Sequence, residues 1–496
     1  MYKRQPEGLQ AELRPYQQVG YEWMATLAEN DLHGILADDM GLGKTIQTLA
    51  LLLASKGSET TPSLVIAPTS VVPNWAAEAK KFAPSLKVLT LSGPKRAKAY
   101  PAIPHADIVI TSFALLQRDI EKLKKHTFKF AILDEAQLIK NPQAKVSIAA
   151  RQLKAQHRLC LSGTPVENNL TELWSLFHFL IPGFLGDLSA FRTRYQNPIE
   201  KEENLERRDA LRARLAPLIL RRTKDEVAKD LPPKTILVHP IDLTTAQKDL
   251  YESVRVTMDK RVRDAIAERG ISQSQITILD ALLKLRQICC HPDLVHREGE
   301  HCSPPTSPPP QREGEHRSPP TTPPPSPSAK LTYLMELLDI LFAEKRRILL
   351  FSQFTSMLQL IENELITRKT PYLKLTGASQ DRGGLVKKFQ ENNIPIFLIS
   401  LKAGGTGLNL TAADTVIHYD PWWNPAAEAQ ATDRAYRIGQ TKPVFVHKLL
   451  CANTVEDRIH RLQQQKALLA DSILSAASQG VPDSETLSQL LAPIGS

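Results

Sequence analysis

The chain has 496 residues, 42% of them hydrophobic, enough for more than one sizeable core and ordinary for a water-soluble protein. Lysine and arginine outnumber aspartate and glutamate by 62 to 53, a net charge of +9 that favours a polyanionic partner without identifying it. Five scattered cysteines (Cys160, Cys289, Cys290, Cys302 and Cys451) argue against a disulfide framework, and no apolar run reaches the roughly 20 residues that span a bilayer. The opening MYKRQPEGLQAELRPYQ lacks the apolar stretch of a signal peptide, so the expected setting is cytoplasmic and away from membranes.

Short apolar runs alternate with helical patterns through the first part of the chain: GILA at 34–37, LVIAP at 64–68, DIVITS at 107–112, FAILDE at 130–135 and HRLCLSGTP at 157–165. That alternation predicts an α/β fold around a parallel sheet. From about residue 170 to 295, Leu, Arg, Lys and Glu dominate around an LPPK break at 231–234, which reads as helical insertions and a crossing between lobes. Within it, Cys289, Cys290 and His291 suggest zinc, but further ligands at finger-like spacing are missing and packing is the preferred reading. Residues 296–328 contain HREGEHCSPPTSPPP followed by its near-copy QREGEHRSPPTTPPP, a composition that cannot bury a core. This segment is expected to be a disordered surface insertion whose removal spares the chemistry. A second strand series, RILLFSQ, YLKLTG, IFLIS, TVIHYD and FVHKLL, begins after residue 345 and predicts a second α/β lobe.

The expected division is a first lobe over 1–230 with a helical protrusion from about 182, and a helical insertion and crossing over 231–295. The Pro-rich loop (296–328), a second lobe (329–470) and a tail (471–496) follow.

Three motifs carry chemistry. After the strand GILA come Asp38, Asp39, Met40, Gly41, Leu42, Gly43, Lys44 and Thr45, then the helix-like IQTLALLLA. Strand, tight loop and helix form the context of a nucleotide phosphate site. Its glycines let backbone N–H groups close on phosphate oxygens, Lys44 pairs with the terminal phosphates and Thr45 ligates magnesium. Asp38 stands where the usual first glycine would be. The strand FAIL then ends in Asp134 and Glu135, two carboxylates at the sheet edge where α/β folds bind ligands. Asp134 would hold magnesium and Glu135 would orient the attacking water. In the second lobe, Gln430, Arg434 and Arg437 fall at i, i+4 and i+7, the spacing of one helical face, so both arginines are expected to point at the first lobe's ATP as fingers.

The ordered set LRPYQ (13–17), DDMGLGKT (38–45), APTSVVPNW (67–75), DEAQ (134–137), LSGTPVENN (161–169), LFSQF (350–354), SLKAGGTGLNLTAADTVIHYDPWWNP (400–425) and QATDRAYRIGQ (430–440) resembles the SWI/SNF-related branch of the superfamily-two helicase-like ATPases. FSQFTSML, RQICCHP and LILRRTK resemble its accessory signatures. The resemblance spans residues 10–465 and implies two RecA-like parallel-sheet lobes with helical insertions. It implies that Gln17 contacts adenine with Arg14 and Tyr16 in support, and that Gly407 and Asn409 lie near the cleft. Ser162, Gly163, Thr164 and Pro165 would couple the ATP site to a nucleic-acid groove. Thr69, Ser70, Thr111, Ser112, Ser352, Gln353, Lys402, Gly404 and Gly405 would contact a nucleic-acid backbone, where small hydroxyls and exposed N–H groups suit phosphate oxygens.

The resemblance further implies double-stranded DNA as partner, ATP and magnesium as cofactors, and displacement of DNA-bound protein complexes such as polymerase. A bacterial member would be nucleoid-associated. The start of the chain just before LRPYQ reads as a motor core whose targeting domain is absent, shorter or on another polypeptide. Two rival readings stay open: a strand-separating DNA or RNA helicase, and a non-catalytic nucleic-acid-binding scaffold. Trp422 and Trp423 are expected to pack between elements rather than stack on bases.

Overall fold

The computed structural model describes residues 5–56, 61–163, 169–202, 204–295, 328–404, 408–461 and 463. Its first sheet contains β1 (Gly34–Leu36), β2 (Ser63–Ala67), β3 (Val88–Thr90), β4 (Ile108–Ser112), β5 (Thr127–Asp134), β6 (Lys154–Leu161) and β7 (Ile219–Leu220). They lie in the order β3-β4-β2-β5-β6-β1-β7 and every pairing is parallel. The central strands are buried on both faces, as continuous Val, Ile and Leu runs require of a parallel sheet. One apolar cluster fills the face with Leu64, Ile66, Leu133 and Phe177, and another fills the opposite face with Val65, Ile132, Trp75 and Leu161.

The second sheet contains β8 (Lys234–Ile241), β9 (Ile348–Ser352), β10 (Tyr372–Leu375), β11 (Ile396–Ser400), β12 (Thr415–His418) and β13 (Val444–Cys451). Its order is β10-β11-β9-β12-β13-β8, again all parallel. Strand β8 corrects the expectation that 231–295 is helix and crossing alone. It pairs with β13 along its full length, from Lys234 beside Val444 to Ile241 beside Cys451. Most of β8 is exposed because it is an edge strand, so it lacks the buried pattern that marks the others.

The first lobe's insertions are short helices between Leu188 and Leu215, one turn of which, Arg192–Gln196, is π-helical. Two longer helices, Thr245–Gln273 and Gln275–Cys290, pack on each other around Tyr251, Ile278 and Leu285. Among the described residues no helix is long and apolar enough to cross a membrane. The carboxyl ends of β1, β5 and β6 open toward residues 433–438 of the second lobe. There Ile438 packs with Tyr16, Leu42 and Ala228 in a small apolar cluster joining the two halves.

Candidate active site

The loop after β1 turns on two glycines. Gly41 (φ +85°) and Gly43 (φ +80°) occupy the left-handed region, and Gly43 caps the helix Lys44–Ala54. A Cβ on Gly43 would sit 2.5 Å from Gln17 Nε2, so the glycine admits a close brace. That brace is Gln17 itself, whose Nε2 donates to the Leu42 carbonyl (3.0 Å) beside the Tyr16 hydroxyl (3.1 Å). Gln17 Oε1 accepts from Arg14 N, and Arg14 pairs with Asp230 at 2.8 Å. The Lys44 ammonium donates to the carbonyls of Asp38 (2.6 Å) and Asp39 (3.4 Å), which holds it over the loop.

Asp38 corrects its expected place at the nucleotide. Its carboxylate is fully buried and is taken up by Arg222, which donates from Nε (2.8 Å) and Nη2 (2.5 Å). Arg222 also bonds Gln47 (2.9 Å) and the Tyr16 carbonyl, while Gln47 bonds Asp38 (3.2 Å). The residue in place of the first glycine is thus a clamp fastening the loop to the LILRRTK segment. Asp39 is likewise engaged, accepting from Lys224 N at 3.0 Å.

Strand β5 delivers Asp134 and Glu135 to the same end of the sheet. Asp134 accepts from the Trp75 indole at 2.7 Å and from Glu135 N at 3.0 Å. Burial, then the neighbouring Glu135 charge, pushes its carboxyl up to about 7, against the pull of Trp75 and Lys44. Glu135 adopts a left-handed backbone (φ 54°, ψ 53°), a conformation costing a non-glycine residue about 1–3 kcal/mol and characteristic of functional turns. Its carboxylate accepts from Gln137 Nε2 at 2.9 Å, and Gln137 Oε1 accepts from Ser162 Oγ at 2.8 Å. Ser162 is buried at the end of β6, and a Cβ on the adjacent Gly163 would lie 2.9 Å from Met40 Cγ. A continuous polar path therefore runs from Glu135 to the segment expected to couple, whose Thr164 and Pro165 lie outside the described residues.

The second lobe brings both arginines here, although the regular helix stops short of them and continues only as hydrogen-bonded turns to Tyr436. The helix Pro425–Thr432 carries half-buried Gln430 and ends before them; Arg434 and Arg437 sit on the turns that follow. Their aim comes from packing across the cleft. Arg437 lies over the phosphate loop so closely that a Cβ on Gly41 would be 2.6 Å from its own Cβ. Arg434 is buried, and Glu135 and Asp134 favour its charged form against that burial. Glu78, on the helix Val72–Phe82, accepts from Asn74 (2.8 Å); burial raises its carboxyl above the usual range, against the pull of Asn74 and of the Arg437 charge. Lys224 spans the cleft to Asp433 Oδ1 and the Tyr436 carbonyl, both at 2.6 Å.

The expected nucleic-acid contacts divide. Thr69 and Lys402 are exposed, Ser70 is half-buried, and Gly404 ends the short helix Leu401–Gly404. Three hydroxyls are corrected, because they are spent inside the fold. Thr111 donates to the Leu91 carbonyl (3.3 Å), Ser112 caps the helix Phe113–Leu123, and Ser352 donates to Asp420 (2.6 Å). The Gln353 N–H faces the same Asp420 at 3.3 Å. Asn409 is exposed; Gly405 and Gly407, the Pro-rich segment through residue 327 and the tail lie outside the described residues. Trp422 and Trp423 are half-buried and flank Arg286, whose guanidinium lies 6.0 and 5.6 Å from their rings.

Trp75, Glu78, Gln137, Arg222 and Lys224 belong to the site but were given no role from sequence. All but Glu78 fall inside quoted blocks (APTSVVPNW, DEAQ, LILRRTK), and Glu78 is three residues beyond one, so proximity to a motif was the signal available.

The SNF2-related domain family matches residues 16–294 and the helicase conserved C-terminal domain matches residues 329–439. The chain is 43% identical over 474 residues to YwqA of Bacillus subtilis, named for an ATP-dependent helicase/translocase role, covering 94% of this chain and 49% of that protein. It is 35% identical over 532 residues to the TATA-binding protein-associated factor MOT1 of Saccharomyces cerevisiae, covering 97% of this chain and 28% of that one. The solved Sulfolobus solfataricus SWI2/SNF2 ATPase core in complex with dsDNA is 35% identical, covering 100% of this chain and 99% of that one, with a TM-score of 0.47. The chain thus spans about half of YwqA and about a quarter of MOT1. With more than half of its residues inside the SNF2-related match, the chain belongs to the SNF2-related family.

Proposed function

We propose that the protein is an ATP-hydrolysing translocase on double-stranded DNA that remodels or displaces DNA-bound protein complexes. The observation that carries this is the cleft itself. The phosphate loop and the Asp134–Glu135 pair of one sheet face Arg434 and Arg437 of the other, with Arg437 packed on Gly41. A nucleotide held there is touched from both lobes, so its hydrolysis changes how they meet.

The residues fit magnesium: Thr45 supplies a hydroxyl, and Asp134 a carboxylate whose charged form a nearby cation would favour. Bound magnesium would neutralise charge on the transferring phosphoryl group. Glu135, held by Gln137, orients the attacking water. Lys44 and the two arginines oppose the negative charge gathering on the γ-phosphate, where such arginines contribute about 10³- to 10⁵-fold in rate. Alternating lobe closure and opening then moves backbone grips along one strand. Lys402 and Thr69, exposed on different lobes, suit those grips, and the excess of basic residues suits duplex phosphate. Action on DNA-bound protein draws on the resemblance to a relative named for its association with the TATA-binding protein.

The test is ATP hydrolysis by the purified chain without nucleic acid and with single-stranded DNA, duplex DNA or RNA, beside a Glu135→Gln control. Stimulation by duplex DNA that disappears in the variant supports the translocase. Preference for single strands or RNA replaces it with a strand-separating helicase, and absence of hydrolysis under all conditions removes the catalytic reading.

A further inference from the structure

Lys224 begins the short helix Lys224–Val227, anchored by a capping box in which Thr223 N donates to Glu226 Oε2 at 2.8 Å. The start of that helix is fastened to the phosphate loop twice. Lys224 N donates to Asp39 Oδ2 (3.0 Å), and two residues earlier Arg222 grips Asp38. From this first-lobe anchor the Lys224 side chain, 5% exposed, reaches into the second lobe. Its Nζ meets Asp433 Oδ1 and the Tyr436 carbonyl, both at 2.6 Å, and lies 5.0 Å from the centre of the Tyr436 ring.

These two partners have a particular place in the chain. Asp433 directly precedes Arg434, and Tyr436 directly precedes Arg437. One ammonium group therefore holds the residue before each arginine. Both arginines stand beyond the regular helix, Arg434 on hydrogen-bonded turns that continue it as far as Tyr436 and Arg437 just past them, so the helix alone does not fix where Arg437 points. A cation bonded to a side-chain oxygen at one turn and a backbone oxygen at the next fixes where that loop can sit.

Resting on the translocase reading, we propose that Lys224 is a positioning residue, an interlobe latch that registers Arg434 and Arg437 over the phosphate loop when the lobes close. It touches neither nucleotide nor metal in this scheme. Its anchor on Asp39 makes the register depend on the loop that cradles the phosphates, so arginine delivery and phosphate binding share one support. When the lobes part, the ammonium and the Asp433 carboxylate are both returned to water, which lets the latch release.

The experiment compares the parent chain with Lys224→Met, Lys224→Arg and the charge exchange Lys224→Asp/Asp433→Lys. In steady-state ATP hydrolysis with the stimulating nucleic acid, Lys224→Met is expected to lower kcat by about 10- to 100-fold, the scale of a misplaced catalytic group, with little change in KM for ATP. Lys224→Arg and the charge exchange should each recover part of the loss. Small-angle X-ray scattering with a non-hydrolysable ATP analogue gives a readout independent of turnover: the parent should compact and Lys224→Met should not. Unchanged kcat, equal compaction, or a joint loss of kcat and ATP binding that neither compensating variant recovers overturns the latch. A parent chain that hydrolyses no ATP overturns the functional reading instead, and scattering then decides the latch alone.

Discussion

The indole N–H of Trp75 donates to Oδ2 of Asp134 at 2.7 Å, across a fully buried contact between the helix Val72–Phe82 and the end of β5. It fixes the carboxylate that faces the phosphate loop and leaves Oδ1 to the Glu135 amide. Trp75→Phe keeps most of the apolar volume and deletes the donor. The magnesium concentration needed for half-maximal hydrolysis should rise about 10- to 100-fold, as for other partners that orient a metal ligand. A magnesium titration of the parent and the variant checks this, and an unchanged requirement refutes it.

Asp38 and Arg222 form a second fixed pair, 0% and 10% exposed at the side chain. Removing one member of a buried pair strands the other, at a cost of about 3–5 kcal/mol. Asp38→Ala should therefore destabilise the first lobe by that order, and Asp38→Ala with Arg222→Met should recover a large part. Denaturant unfolding of the single and double variants measures both. If Asp38 instead served chiefly to bind nucleotide, the single variant would keep parental stability and lose ATP affinity.

These two pairs show what the sequence could and could not say. Among the described residues, ten of the thirteen strands fall where apolar runs meet turn residues, because parallel strands buried on both faces write continuous Val, Ile and Leu. Strand β8 escaped because an edge strand exposed along most of its length has no such signature. The phosphate loop and Asp134–Glu135 were legible because each is a local strand-end motif. Asp38 read as part of that motif because its partner Arg222 lies 184 residues away. The spacing of Arg434 and Arg437 suggests a helical face; the regular helix stops at Thr432, its hydrogen bonds run on as turns to Tyr436, and packing on Gly41 sets the place of Arg437 beyond them. Small hydroxyls misled for a different reason: Thr111, Ser112 and Ser352 have the same chemistry whether they face phosphate or cap and cross-link the fold.

His418 gives a pH dependence confined to the second lobe. It is 2% exposed at the end of β12, bonded to Thr432 Oγ1 at 3.0 Å, and burial pushes its pKa down to about 4 against the pull of Glu428. Because the folded value lies below the unfolded value of about 6.5, protonation favours unfolding. Its contribution is complete above pH ~6.5 and is lost as the pH falls toward 4, by about 3 kcal/mol in all. Chemical denaturation at a series of pH values should show a shallower decline between 6.5 and 4 for His418→Gln than for the parent. Parallel declines would mean that other groups set the acid limit.

The two glycines of the phosphate loop separate binding from turnover. Both have positive φ, so alanine at either costs about 1–2 kcal/mol in backbone conformation. The added methyl groups meet different neighbours. At Gly43 it would press on Gln17 Nε2 at 2.5 Å, inside the first lobe and against the brace that shapes the loop. At Gly41 it would press on Arg437 Cβ at 2.6 Å and Cα at 3.3 Å, across the cleft. Gly43→Ala should therefore weaken ATP affinity in the open and closed states alike. Gly41→Ala should hold the arginine turn off the loop and lower kcat by about 100-fold or more, beyond its effect on affinity. Equilibrium binding of a fluorescent ATP analogue, set beside kcat for each variant, makes the comparison. Equal losses of affinity and turnover in both variants would show that Gly41 serves only the loop's own geometry, and that the close approach of Arg437 contributes nothing to hydrolysis.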